Sequence, residues 1–146
     1  MEQIRPLDVG QMMYPKPHQI QFKKVGQPAV GYISIAEFED VIPFVVKRTF
    51  WTYYTPENVI RGRHAHHQTE QVLIAVAGRI TVRTESVSGE MHEFLLDSPD
   101  MGVYIPPDCW HTMQYSHNAV QMVFASTHYD EQDYIRDYET FQKLRK

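Results

Sequence analysis

The sequence contains a single cysteine, Cys109. One thiol cannot build an internal disulfide framework, which removes the small stapled secreted scaffolds. No run approaches the roughly 18 consecutive apolar residues of a membrane span. The opening MEQIRPLDVGQ lacks the apolar stretch of a secretory leader. Basic residues are in deficit as well. Lys and Arg total 14 against 18 Asp and Glu, a formal charge of −4. That balance excludes a broad basic surface for nucleic acid but leaves room for a small pocket that holds one phosphate-bearing ligand. There is no internal repeat and no low-complexity segment. Together these absences predict a cytoplasmic protein with neither nucleic acid nor membrane as a partner.

What is present is ordinary globular composition. The chain has 146 residues, 42% of them hydrophobic and 22% charged. That is enough for one domain with a real core, taken here as residues 1–146. Residues 1–18 have little periodicity and read as an extended arm. IQFKKV (20–25), VGYISI (30–35), FVVKRTFWTYY (44–54), HAHHQTEQVLIAVAG (64–78), RITVRTE (79–85), EMHEFLL (90–96), VYIPPDCWHTMQYS (103–116) and AVQMVFAS (119–126) are β-prone. They amount to about eight to ten short strands at even spacing, the pattern of an all-β sandwich or barrel. After residue 130 the pattern changes. Tyr134, Ile135, Tyr138, Phe141 and Leu144 fall on one face at helical spacing. Asp130 is a candidate N-cap and basic residues crowd the end, so a helix is predicted over 130–144.

The chemistry-bearing stretch is RGRHAHH at 61–67. Residues i and i+2 of a strand share a face, so His64 and His66 project together and Ala65 points away. Arg61 and Arg63 add positive charge, and Gly62 permits close backbone approach. Glu70 and Gln71 follow, and PPDCWH ends in His111. An unbroken strand from residue 64 would place Glu70 with the histidines; a bulge would bring in Gln71 instead. Exposed polar residues on an edge strand are the simpler reading of a lone His-x-His.

The combination His-x-His-x3-Glu, a turn glycine at Gly78 and Pro-x3-Trp-His resembles the paired motifs of the cupin superfamily, whose fold is a double-stranded β-helix of jelly-roll type. A metal-binding cupin would use His64, His66, Glu70 and His111, since imidazoles with one carboxylate suit first-row transition metals. A closer resemblance covers nearly the whole chain. IPFVVKR, RGRHAHHQTEQVLIAVAGRITV, LDSPDMGVYIPPDCWHTM and VFASTHYDEQDYIRDYETF are similar to the recurring patterns of the sugar 3,4-ketoisomerases, the WxcM-like group of cupins. The resemblance implies a jelly roll with a C-terminal helix, and an isomerase that moves the ketone of a dTDP-4-keto-6-deoxyhexose from C4 to C3. It implies no cofactor, histidine-mediated proton transfer through an enediol, and a homodimer. Its candidate catalytic residues are His64 and His66. Its candidate substrate-binding residues are Arg61, Arg48, Gln71, Tyr53, Trp110 and His111. Phe50 stands where the family usually has tyrosine, so any role of that phenol is lost unless Tyr53 or Tyr54 serves. Two alternatives fit the same motifs: a metal-dependent cupin enzyme, and a cupin that binds nucleotide sugar without catalysis.

Overall fold

The computed structural model describes residues 14–145. Most of the expected N-terminal arm therefore lies outside the described residues, and its last residue, His18, opens the first strand. Among the described residues twelve strands follow one another. They are β1 (His18–Gln21), β2 (Lys23–Gln27), β3 (Gly31–Ile35), β4 (Arg48–Tyr53), β5 (Ile60–His66), β6 (Gln71–Ala77), β7 (Ile80–Ser86), β8 (Met91–Leu96), β9 (Met101–Ile105), β10 (Cys109–Tyr115), β11 (Val120–Ala125) and β12 (Tyr134–Ile135). Two five-stranded sheets are formed, in the orders β1-β9-β6-β11-β4 and β12-β5-β10-β7-β8, while β2 and β3 pair only with each other. All the strand pairs are antiparallel. The result is all-β, as the strand spacing predicts, and is the jelly roll that the resemblance implies.

The sequence pattern explains the layers. In β10, CWHTMQY alternates between buried and half-buried residues, so Cys109, His111, Met113 and Tyr115 face inward. In β6, QVLIAVA is buried for five residues in succession because both faces of that strand are covered. Leu73 and Ala75 join Ile80, Val82, Leu96, Val103 and Val123 between the sheets. Val72 and Ile74 point the other way, into a second apolar layer with Ile20, Phe22, Ile42, Phe44 and Tyr104. Gly78 turns β6 into β7 with φ +72°, where an added Cβ would lie 2.6 Å from the Ala119 Cα. Only glycine fits that turn without displacing backbone.

The predicted C-terminal helix is replaced by three short pieces. Asp130 does act as an N-cap, accepting a hydrogen bond from the Gln132 amide, but it caps a single 3-10 turn over Glu131–Asp133. Tyr134 and Ile135 then form β12, paired with His66 and Ala65 of β5. The α-helix itself, α1, spans only Tyr138–Gln142 and is capped by Asp137. Pairing with the exposed edge of β5 overrides the local helical spacing. Phe141 from α1 is fully buried with Ala65 and Ile135 against the outer face of the second sheet. Truncating a buried phenylalanine of this kind costs about 3–5 kcal/mol, so the segment is firmly seated. No helix among the described residues is long and apolar enough to cross a membrane.

Candidate active site

The cavity that holds the histidines lies between the two sheets, beside β4 and β5. Its volume is about 190 Å³, and its wall includes His64, His111, Gln71, Arg61, Tyr134 and Arg136. A bulge in β5 makes this possible. Gly62 (φ +87°) and Arg63 (φ +57°) both adopt left-handed backbone, and the β5–β10 register shifts between His111 and Thr112. Arg61 and His64 are three residues apart and would point to opposite faces of a regular strand. The bulge returns both to the cavity. Gly62 is required there as well, since a Cβ would approach the His111 carbonyl oxygen to 2.8 Å.

Three imidazoles cluster. The His64 ring is 5.1 Å from that of His66 and 4.7 Å from that of His111, and nearly perpendicular to both. Each Nδ1–H has an acceptor. His64 donates to the Gly62 carbonyl (3.0 Å), His111 to the Cys109 carbonyl (3.0 Å) and His66 to the Asp133 carboxylate (3.0 Å). Each neutral ring therefore keeps its Nε2 lone pair free. Burial pushes His64 down to about 4, helped by His66, while its bond to Gly62 opposes the shift. His66 falls to about 4 through burial and then His111, with Asp133 acting against them. His111, enclosed on all sides, falls to about 3 through burial and then His64. All three are neutral at pH 7, and His64 and His111 present themselves to the cavity. His66 stands one layer back. It is 2% exposed, with its Nε2 unpartnered and the Tyr134 ring 4.3 Å away.

The chain between β5 and β6 decides the fourth side chain. His67 donates its amide to the Asp133 carbonyl (2.8 Å), and Gln68 donates its amide to the Asp133 carboxylate (2.7 Å). These bonds end β5 at His66 and carry the chain over to the other sheet. The side-chain parity is reset in the crossing. Gln71 then lines the cavity, and Glu70 turns to the outer face, accepting a hydrogen bond from the Tyr104 hydroxyl (2.8 Å). The donor set His64, His66, Glu70 and His111 is thus not assembled, and among the described residues no group of three or more His, Cys, Asp or Glu is placed to hold a metal ion.

Two expected contacts are corrected. Tyr53 is on the outer face of β4, 54% exposed, because Phe50 and Thr52 take the inward positions of that strand. Tyr54, 88% exposed, is no closer to serving as the substitute phenol. Trp110 neighbours His111 in β10 and so points the opposite way, packing on Tyr138 (5.2 Å) and Phe141 (5.7 Å). Arg48 flanks the site without lining the cavity. Its guanidinium lies over the Phe50 ring (5.5 Å) and the Tyr129 ring (5.6 Å).

Several wall residues carry no signal by themselves in the sequence. Tyr134 and Arg136 come from β12 and the residue after it. Arg136 lies over the Tyr134 ring at 4.1 Å and pairs with Glu131 at 2.6 Å. Deeper in, the Tyr115 hydroxyl donates to the buried Gln121 amide oxygen (2.7 Å), and burial pushes that phenol up to about 12. Phenols therefore reach the cavity from β10 and β12, not from the KR strand. The only signal that could have flagged Asp133, Tyr134 and Arg136 is their place within YDEQDYIRDY, part of a stretch that carries the resemblance to the sugar 3,4-ketoisomerases.

Comparison with known proteins identifies the family. Residues 15–146 match the family described as FdtA, WxcM-like, C-terminal. A TDP-4-oxo-6-deoxy-alpha-D-glucose-3,4-oxoisomerase of Aneurinibacillus thermoaerophilus is 40% identical over 125 residues, covering 85% of this chain and 88% of the relative. QdtA, a sugar 3,4-ketoisomerase of Thermoanaerobacterium thermosaccharolyticum solved with TDP, superposes with a TM-score of 0.84 at 32% identity, covering 92% of this chain and 96% of that one. A histidine-to-asparagine mutant of QdtA has been solved with TDP-4-keto-6-deoxyglucose. A 3,4-ketoisomerase from Helicobacter canadensis gives a TM-score of 0.83 at 30% identity, covering 90% and 98%. With motif, fold and near-full coverage in agreement, the chain belongs to the FdtA family of WxcM-like proteins.

Proposed function

We propose that this chain is a sugar-nucleotide 3,4-ketoisomerase acting on a TDP-linked 4-keto-6-deoxyhexose. The observation that carries the reading is a pair of neutral imidazoles, His64 and His111, facing a cavity flanked by two guanidiniums, Arg61 and Arg136. Arg61 suits a diphosphate, which a guanidinium grips through two parallel hydrogen bonds, whereas Arg136 is already held in that way by Glu131. The imidazoles suit a reaction that only moves protons. His64 Nε2 removes the C3 hydrogen as a proton. The electron pair of that bond forms the C3–C4 double bond, the C4 carbonyl electrons pass to O4, and O4 takes the proton that O3 gives up, carried across by His111 Nε2, to give the singly ionised enediol. The O3 charge then forms the C3 ketone, and C4 receives the proton from His64. Atoms and electrons balance within the sugar, so the step calls for no redox cofactor. His111 is the second imidazole on the cavity wall, and Gln71 adds an amide to that wall. His66 supports this pair from behind.

A homodimer belongs to the same proposal. Every residue of β2 is exposed, and Val25, Val30, Tyr32 and Ile33 leave large apolar side chains in water. A two-stranded sheet is marginal alone. Beside it lies a hollow of about 480 Å³ whose lining includes Phe22, Tyr32, Ile74, Met122 and Phe124. A second copy would cover both, and light scattering tests it; a monomer at micromolar concentration contradicts it. A cytoplasmic location accompanies a nucleotide-sugar substrate and is tested by cell fractionation. The decisive assay for the activity is a proton NMR time course of chelator-treated protein with TDP-4-keto-6-deoxyglucose in deuterated water. The expected result is a 3-keto product with deuterium at C4, and no turnover by His64→Asn. Substrate that remains unchanged with the parent protein refutes the assignment.

A further inference from the structure

Asp133 is the most heavily engaged carboxylate near the site. Its Oδ2 accepts from His66 Nδ1–H at 3.0 Å and from the Thr69 hydroxyl, and its Oδ1 accepts from the Gln68 amide at 2.7 Å. Thr69 spends its proton on Asp133, so the Thr127 hydroxyl, 2.6 Å away, must donate to Thr69. Every donor in this chain is directed at the carboxylate. Asp133 can only accept, which fixes His66 as the Nδ1–H tautomer. The remaining nitrogen, Nε2, is buried without a partner among the described residues, and the His66 ring lies 5.1 Å from that of His64 and 6.2 Å from that of His111. The other groups around His66 are cationic or neutral: Arg48, His111, His64 and the Tyr134 ring.

We propose that Asp133 is a positioning residue for the isomerisation, holding His66 so that a lone pair, and not an N–H, stands beside His64 when His64 carries the sugar's proton. This rests on the ketoisomerase reading. The physical reason is a dipole reversal. An imidazolium formed on His64 is stabilised by the neighbouring lone pair and by the carboxylate behind it. With the opposite tautomer, His66 would aim a partial positive charge into the same cluster. The Asp133 carboxylate does not line the sugar cavity; it reaches the site through His66 and through the Gln68 bond that ends β5.

The test is Asp133→Asn. An asparagine has one acceptor for the three donors that Asp133 now satisfies. If its oxygen stays on the Gln68 amide, its NH2 faces His66 Nδ1 and drives the ring to the Nε2–H form. The first readout needs no turnover: nitrogen-15 correlation spectra of the histidine rings. His66 is expected to show a protonated Nδ1 in the parent and a protonated Nε2 in Asp133→Asn. The second readout is kinetic. The expected result is a fall of about 10²- to 10³-fold in kcat, with KM for TDP-4-keto-6-deoxyglucose within about threefold of the parent and the acid limb of the kcat/KM profile moved to lower pH. Thr69→Val, which removes one donor and leaves the carboxylate, should keep the parent tautomer and lose less than about tenfold in kcat. An unchanged His66 tautomer in Asp133→Asn overturns the proposal. So does a switched tautomer with parent kcat, or a kcat loss matched by Thr69→Val and accompanied by a raised KM and a lowered Tm, which marks a structural role. If the parent itself leaves the substrate unchanged, the ketoisomerase reading falls, and the spectra still decide the tautomer lock.

Discussion

The imidazole cluster predicts that acid unfolds this protein well above the pH at which its carboxylates titrate. His64, His66 and His111 are held down to about 4, about 4 and about 3, first of all by burial. In the unfolded chain each returns to about 6.5. Between those values the unfolded state binds protons that the folded state refuses. Stability is therefore full above pH 6.5 and is lost as pH falls toward 4. Each such histidine contributes a slope of about 1.4 kcal/mol per pH unit, or roughly 2 kcal/mol by pH 5. Three of them approach about 6 kcal/mol, comparable with the whole stability of many domains, about 5–15 kcal/mol. Glu70 and Asp108, whose carboxyls burial pushes up, oppose the trend and trim it. The assay is urea unfolding at half-unit steps from pH 7 to pH 5, with the slope of stability against pH read as proton uptake. Uptake of about two to three protons is expected, and His111→Asn should lower it by about one. A stability change under about 1 kcal/mol across that window would refute the reasoning, because it would mean that the cluster is charged when folded or not buried.

Further predictions follow from the backbone and from the corrected contacts. Gly62→Ala places a Cβ against the His111 carbonyl at a positive φ; a loss of about 2–4 kcal/mol in urea unfolding is expected, with activity reduced because Arg61 and His64 lose their common face. Tyr53→Phe should leave kcat and KM within about twofold of the parent, as for most exposed positions; a tenfold loss would restore Tyr53 to the site. Arg145 reaches the Glu85 carboxylate (2.7 Å) and the Val87 carbonyl (2.9 Å). Its side chain is 40% exposed, so Arg145→Ala is expected to cost about 1 kcal/mol, seen as a small drop in Tm and faster amide exchange over α1.

Much of the frame was legible because period-two patterning is local. CWHTMQY in β10 alternates as written, and the same rule, applied strictly, already separates Trp110 from His111 and Tyr53 from Phe50. Glu70 and Gln71 could not be assigned by parity, since the bonds that break the strand after His66 come from Asp133, far along the chain. The C-terminal segment was misread for a related reason. The spacing of Tyr134, Ile135, Tyr138 and Phe141 fits a helix locally, but the free edge of β5 takes Tyr134 and Ile135 into a strand. Motif resemblance pointed to YDEQDYIRDY without saying what it does. The structure gives it three tasks: Asp133 on His66, and Tyr134 and Arg136 on the cavity wall.

The strand that brings Tyr134 to His66 has a kinetic consequence. The contacts that seat the last segment join residues far apart along the chain, with sequence separations of 67 for His66 and Asp133, 64 for Thr69 and Asp133, and 60 for Glu85 and Arg145. Closing such loops costs chain entropy before any contact is gained, so they are the slow steps of assembly. The sandwich core between β6, β7 and β10 can form while the last segment is still unattached. A refolding molecule would then regain its sheet signal early and its working cavity late. The interval between the two is the time that β12 takes to find the edge of β5.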